Sequence, residues 1–467
     1  MAVADRGGAT LRLLLLGVAQ LAMTLAGPVV HLRFGDLAFI ALALAQGGLV
    51  LFATRLAEGC AARLGLPVIL GVALALRLAL LPVPPQLSTD AYRYVWDGRV
   101  QGAGINPYRY VPAAPELAPL RDGAIYPHIN RRDYAVTIYP PAAQLLFFAV
   151  TRISDGLLAM KLAMVAAEAV TVAVLLALLR HLRRPATRVV AYAWHPLAVW
   201  EIAGNAHIDA AMVAAMMLGL WLALVPGRRV AGAGILAAAA LLKPFAALAL
   251  PAVWRPWDWR APIAALAVAV ALYLPYLAVG TGVLGFLPGY LSEERITDGG
   301  KAFWLIASLQ ALTGPLPWAR LLYLGMATLL LGALALRVSF AAGPAARLQR
   351  LFWLLLAFLV LLSPDYPWYF LMLVPFLALF GPAPGWAATI CCFMLYDEVR
   401  QDPEIAFALR DTAFNLAVLA TLLLPLRPGR AAAATALTSE GMPDDRIHGR
   451  AAAAAHRSAP LPRGRHP

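Results

Sequence analysis

Ala261–Val279 is nineteen consecutive residues without a charge, and that window excludes most folds open to a chain of this length. A helix of that length covers the ~30 Å hydrocarbon core of a bilayer. Inside that core every backbone N–H and C=O must find its partner within the protein. Leu157–Leu179 and Ala408–Leu426 are windows of the same kind, with few or no charges. Their recurrence predicts an all-α polytopic membrane bundle of about twelve to fourteen membrane segments. Its expected extent is residues 1–427. The remainder, 428–467, is rich in Ala, Arg, Pro and Ser and reads as a disordered cytoplasmic tail.

The chain is 61% hydrophobic and 13% charged, whereas soluble domains are about one-quarter charged. Its net charge of +13 does not mark a nucleic-acid partner. The basic residues sit in short clusters between apolar windows, where the positive-inside rule places them, so the expected surroundings are a lipid bilayer. Lysine occurs only at Lys161, Lys243 and Lys301, beside runs of alanine, a bias typical of GC-rich bacterial coding sequences. The expected location is therefore a bacterial inner membrane. Cys60, Cys391 and Cys392 have neither disulfide-framework nor metal-ligand spacing. The apolar N-terminus reads as an uncleaved first helix.

Arginine placement supplies a topology. Arg6 and Arg12 put the N-terminus inside, and spans near Leu13–Val30, Leu37–Phe52 and Leu66–Val83 leave residues 84–138 as a large extracytoplasmic loop. Tyr139–Val150 is short for a span and reads as a dipping helix. Leu157–Leu179 returns to the basic cluster Arg180–Arg188, and Val189–Ile202 exits again. Val230–Trp254 has basic flanks on one side, so it must enter and return, breaking at Lys243-Pro244 because proline removes a backbone donor. Asp90, Asp97, His207, Asp209, Lys243, Glu293, Glu294 and Asp365 all fall on the outer face in this map.

Several of these residues have chemistry to offer. Asp90, Arg93 and Asp97 share one helical face, and Tyr92, Tyr94 and Trp96 interleave them. A solvated, salt-bridged helix would share the spacing, but not that density of aromatics. A carboxylate just outside a membrane helix and framed by aromatics suits a general base gripping a sugar hydroxyl. Arg131 and Arg132 lie on the outer loop against the positive-inside trend, which suits an anionic ligand such as phosphate. His207 and Asp209 begin a metal-ligand spacing, but no third ligand is nearby, so no metal is assigned. An ionisable Lys243 inside an apolar run costs about 2.5–3.5 kcal/mol on insertion scales and marks a ligand site or pathway.

Asp90-Ala91-Tyr92, the Gly-x-Asn-Pro-Tyr stretch Gly104–Tyr108, Tyr139-Pro140-Pro141, Asn205–Ala210 and Lys243-Pro244 together resemble the GT-C superfamily. They are most similar to its polyprenyl-phosphate-mannose-dependent mannosyltransferases: the bacterial α-mannopyranosyltransferases, glycosyltransferase family 87 and, more remotely, the first GPI mannosyltransferase. The resemblance covers about Leu66–Leu250. It implies a catalytic aspartate in the first outer loop, at Asp90, and inverting transfer of a sugar, mannose by the resemblance alone, from a polyprenyl-phosphate donor to a glycan or lipid acceptor. Thr89 and Ala91 flank Asp90 in place of a paired Asp-x-Asp, which leaves Asp97 as an alternative base and no cofactor implied. Lys243, with His207, Arg131 and Arg132, would hold the donor phosphate. Tyr92, Arg93, Asp97, Tyr139, Asp209, Glu293 and Asp365 would serve the acceptor or support these groups. A lipid or glycolipid flippase, and a ligase of glycan chains, remain the rival functions.

Overall fold

The computed structural model describes residues 2–294, 303–316, 318–396 and 404–423. One compact unit spans residues 1–421; of the second, 422–467, only residues 422 and 423 are described. The tail expected at 428–467, Arg295 and Lys301 lie outside the described residues. The helices run α1 (Ala2–Ala57), α2 (Ala62–Leu80), α3 (Asp90–Gly102), α4 (Pro141–Ile153), α5 (Leu157–His181), α6 (Val190–Ala193), α7 (Pro196–Ala198), α8 (Asp209–Leu224) and α9 (Arg229–Ala240). They continue with α10 (Arg260–Tyr273), α11 (Leu287–Glu293), α12 (Trp304–Thr313), α13 (Ala319–Ser339), α14 (Pro344–Leu362), α15 (Val374–Leu379), α16 (Ala383–Cys391) and α17 (Glu404–Leu422). Among the described residues the only β-pairing is an isolated bridge between Arg255 and Asp258.

The protein is the all-α membrane bundle that the apolar windows predict. Among the described residues six helices are long and apolar enough to cross a membrane, and the bent pair Pro196–Gly204 with Asp209–Leu224 adds a seventh only if both halves form one span. Five shorter apolar helices, of 10–17 residues, accompany them. Long side chains such as Leu321 (76% exposed) and Leu329 (75%) on α13 point out of the protein, as lipid-facing residues do.

Three breaks in helical regularity build the interior. The first is in α1, where Gly35 adopts φ 74° and ψ −172°. Gln46 Nε2 donates to Thr24 Oγ1 at 2.9 Å across 22 residues, a separation of about 33 Å in a straight helix. The chain therefore reverses at Gly35, and α1 is the hairpin of two spans expected there.

The second break corrects the expectation of a span at Val189–Ile202. That stretch is divided among α6, α7 and a wide π-type turn, Val199–Gly204, and meets α8 at 119°. His195-Pro196 interrupts the backbone ladder, and Ala206 takes φ 56°. A non-helical backbone at this depth is tolerated because the surrounding helices bury it; residues 189–214 have almost no exposed side chain.

The third is the reversal at Lys243-Pro244. Helix α9 stops at Ala240, Lys243 is extended (φ −153°, ψ 128°), and a 3-10 helix runs back over Pro244–Ala252. Arg229 at the start of α9 donates to the Val253 carbonyl at the end of the return, at 3.2 Å. The segment enters and comes back, as its basic flanks predict. Helices α8 and α9 then touch backbone to backbone: a Cβ on Gly232 would lie 2.6 Å from the Gly219 carbonyl oxygen.

The loop at 84–138 is not unstructured. It contains α3, which packs on α4 so closely that a Cβ at Gly98 would lie 2.4 Å from the Phe147 carbonyl oxygen. Thus α4, too short for a span, serves as the floor beneath α3.

Candidate functional site

A cavity of about 1390 Å³ opens between α3, the 130–140 loop, the Lys243-Pro244 break, α11 and the segment after α14. Its wall includes Asp90, Arg93, Tyr94, Asn130, Arg131, Tyr139, Lys243, Tyr290, Glu294, Asp365, Tyr366, Trp368 and Tyr369. The volume exceeds what one hexose fills. Apolar side chains, among them Phe245, Leu284, Phe286, Leu287 and Leu291, cover the part nearest α11.

Asp90 is the first residue of α3, so the positive end of that helix meets its carboxylate. Asn130 Nδ2 donates to Oδ1 at 2.7 Å and the Tyr139 hydroxyl donates to Oδ2 at 3.1 Å. These two donors fix the plane of the carboxylate while it faces the cavity. Burial, with the Asp90 charge adding to it, raises the Tyr139 and Tyr94 phenols well above their usual range. Both are therefore neutral donors at neutral pH. Pro140 and Pro141 start α4 directly after Tyr139, which sets the entry angle of that ring.

Across the cavity Lys243 Nζ donates to both oxygens of Asp209, at 2.9 and 2.8 Å, and sits 4.4 Å from the centre of the Tyr369 ring. Asp209 begins α8 and is fully buried. The break in the α9 backbone thus places a cation at the cavity wall, and the start of α8 holds its counter-charge. An ammonium has three donors, and two are committed here.

His207 lies behind the wall, fully buried, its ring stacked on Trp368 at 4.3 Å. Trp368 in turn stacks on Tyr366 at 4.6 Å. His207 Nε2 is 3.2 Å from Glu201 Oε2, but the angles make no hydrogen bond, so both imidazole nitrogens and Glu201 Oε1 are left without one. Arg131, in a left-handed backbone conformation (φ 50°), donates to Glu293 at 2.8 Å. Burial disfavours its charge, but that carboxylate more than offsets the effect and raises its pKa above the ordinary guanidinium value. The same contact ties the 130–140 loop to α11, reinforced by a 2.9 Å bond from Phe286 N to the Thr137 carbonyl.

Of the residues singled out from the sequence, Asp90, Arg93, Arg131, Tyr139, Lys243 and Asp365 share this cavity, and Asp209 and His207 stand directly behind it. Four others do not line it. Asp97 is buried and occupied by Arg93, Thr137 and Gln144, so it braces α3 and is no alternative base. Tyr92 packs its ring against His128 at a tilt of 33°. Arg132 faces outward to the Pro127 carbonyl and Asp133. Glu293 engages Arg131, while its neighbour Glu294 reaches the wall.

Asn130, Tyr94, Tyr290, Tyr366 and Glu201 also belong to this region, and no sequence motif assigns them a role. Asn130 was visible beside Arg131 but carries no signal of its own; Glu201 was visible as a carboxylate inside an apolar run. Among the described residues no three His, Cys, Asp or Glu side chains converge as metal ligands would. Among the described residues, the cationic groups of the wall are Lys243, Arg131 and Arg93.

Comparison with known proteins gives two matches. A family model described as alpha-(1->6)-mannopyranosyltransferase, N-terminal domain, matches residues 11–258, a span that contains Asp90, Asn130, Tyr139, Asp209 and Lys243. Alpha-(1->6)-mannopyranosyltransferase A of Mycobacterium tuberculosis (strain ATCC 25618 / H37Rv) is 26% identical over 222 residues, 44% of this chain and 42% of that protein. The match therefore spans less than half the length of that relative. No solved structure matches.

Proposed function

Because the chain belongs to the alpha-(1->6)-mannopyranosyltransferase family, we propose that it transfers mannose from a polyprenyl-phosphate donor to a glycan or lipid acceptor hydroxyl, with inversion. Asp90 takes the proton of that hydroxyl, and the freed oxygen attacks the anomeric carbon from the face opposite the phosphate. The bond from carbon to phosphate oxygen breaks with its electron pair on the phosphate. Lys243, through its uncommitted donor, and Arg131 meet the charge that develops there. The polyprenyl tail lies along the apolar part of the cavity near Phe245 and Leu284. We place the reaction on the extracytoplasmic side of the bacterial inner membrane, in keeping with the arginine clusters at the other ends of the spans.

One observation carries this reading: Asp90 and Lys243, each fixed by its own partners, line one cavity. A carboxylate and a cation facing across a large space suit an inverting displacement, in which base and leaving group act on opposite faces of the sugar. General base catalysis contributes about 10²–10⁴-fold. Replacing Asp90 by Asn should lower kcat by that factor in membranes supplied with polyprenyl-phosphate mannose and a mannan acceptor, with donor binding kept. Undiminished transfer by Asp90→Asn would remove the base from the mechanism. Donor crossing the bilayer without sugar transfer would make the protein a transporter.

A further inference from the structure

Base and phosphate anchor come from distant parts of the chain, Asp90 from α3 and Lys243 from the end of α9. Catalysis by both needs a fixed spacing between them. One side chain reaches toward each. Asn205 is 1% exposed and lies in the bend between the π-type turn and α8. Its Oδ1 accepts from the backbone N–H of Leu87 at 3.2 Å, and its Nδ2 donates to Glu201 Oε2 at 3.3 Å. Leu87 is three residues before Asp90, and Asn205 is four before Asp209, the partner of Lys243.

From these contacts we infer that Asn205, held by Glu201, is a positioning residue that sets the distance between Asp90 and the Asp209–Lys243 pair. The inference rests on the mannosyltransferase reading of the cavity. Glu201 is fully buried, with Oε2 accepting from the Asn205 amide at 3.3 Å and Oε1 without a partner among the described residues. Its Oε2 takes the Asn205 NH₂, so that the amide carbonyl oxygen meets Leu87. The bend itself is rigid: His207 N donates to the Glu201 carbonyl at 2.9 Å, Ala206 N to Ile202 at 3.0 Å, and Ala206 sits at φ 56°. The Tyr94 hydroxyl, 3.5 Å from Ile208 N, is a second and longer tie between the same two regions. Displacing reacting groups by about 1 Å can lower a rate about 10²-fold. Asn205 touches no cavity space, so its loss should slow the chemical step and leave donor binding as it was.

The experiment reverses the polarity of the contact. Asn205→Asp keeps the acceptor for Leu87 but removes the amide donor that Asn205 offers to Glu201. Glu201→Gln keeps an acceptor for Asn205. In the double variant the introduced amide donates to the introduced carboxylate, and the bridge is rebuilt. Each variant is purified whole in detergent, its melting temperature recorded, and assayed with polyprenyl-phosphate mannose and a mannan acceptor for kcat, and with the donor alone for Kd. We expect N205D to lose at least tenfold in kcat with donor Kd within twofold, E201Q to stay within threefold of the parent, and E201Q/N205D to recover to within threefold. Undiminished kcat in N205D, a donor Kd that worsens as much as kcat, or a double variant no better than N205D would each overturn the inference. If N205D yields no folded protein, the double variant is compared with E201Q: kcat within threefold supports the bridge, and a tenfold deficit overturns it. A parent protein that transfers no mannose overturns the functional reading itself, an outcome seen before any variant is made.

Discussion

Replacing Lys243 by Met separates two roles that one ammonium fills. Its Nζ lies 2.9 and 2.8 Å from the Asp209 oxygens, with the lysine side chain 14% and the aspartate 1% exposed. Methionine keeps the length of the stem but leaves the Asp209 carboxylate buried and unpaired. Breaking a buried pair in this way costs about 3–5 kcal/mol of stability. The remaining donor of the ammonium is the one a phosphate would take, and a hydrogen bond to a charged group is worth about 1.5–3 kcal/mol. At about 1.4 kcal/mol per tenfold, K243M should weaken donor binding roughly 10- to 150-fold. Asp209→Asn in the same chain removes the stranded charge, so K243M/D209N should regain most of the stability and none of the donor affinity. Thermal melting in detergent reads the first quantity, and titration with polyprenyl-phosphate mannose reads the second. If the double variant binds donor like the parent, Lys243 only neutralises Asp209 and the phosphate assignment fails.

Two further outcomes follow from the packing around Asp90. Asn130→Ala and Tyr139→Phe each remove one donor from its carboxylate; with charged hydrogen bonds worth about 1.5–3 kcal/mol, each should lower kcat about tenfold or more while the melting temperature changes little. Unchanged kcat in both would mean that the carboxylate needs no fixing. Gly98→Ala should destabilise the protein by about 1–3 kcal/mol, as overpacking does, because its Cβ would meet the Phe147 carbonyl oxygen at 2.4 Å; an unshifted melting temperature would show that α3 and α4 can separate freely.

What the sequence disclosed follows from what local patterns can encode. Lys243-Pro244 was legible because a proline and a charge inside an apolar run are both costly, and basic flanks on one side require a return. Asp90 stood out as a carboxylate among aromatics. By contrast, Val189–Ile202 reads as a span because apolar content records burial, and burial inside protein looks the same as burial in lipid. Its division at His195-Pro196 depends on neighbours far away in the chain, among them Thr389, whose hydroxyl lies 3.1 Å from His195. Asp97 and Asp90 share a helical face, so spacing could not tell a braced carboxylate from one open to the cavity. That distinction came from Thr137 and Gln144, both about forty residues or more away. Asn130 is an ordinary polar residue in a loop, and Asn205 opens one of the motifs, but only three-dimensional contact shows what either one holds.

The glycine seam between α8 and α9 bears on how the cavity can move. Gly219 and Gly232 leave no room for a side chain between the two backbones, so these helices tilt as a single rod. Asp209 is ten residues from Gly219, about 15 Å along the axis, and Lys243 lies at the same end of the pair. The seam is thus a fulcrum with the Asp209–Lys243 end on its long arm. A small wedge at the glycines becomes a larger swing at the tip, and the lysine and its aspartate travel together.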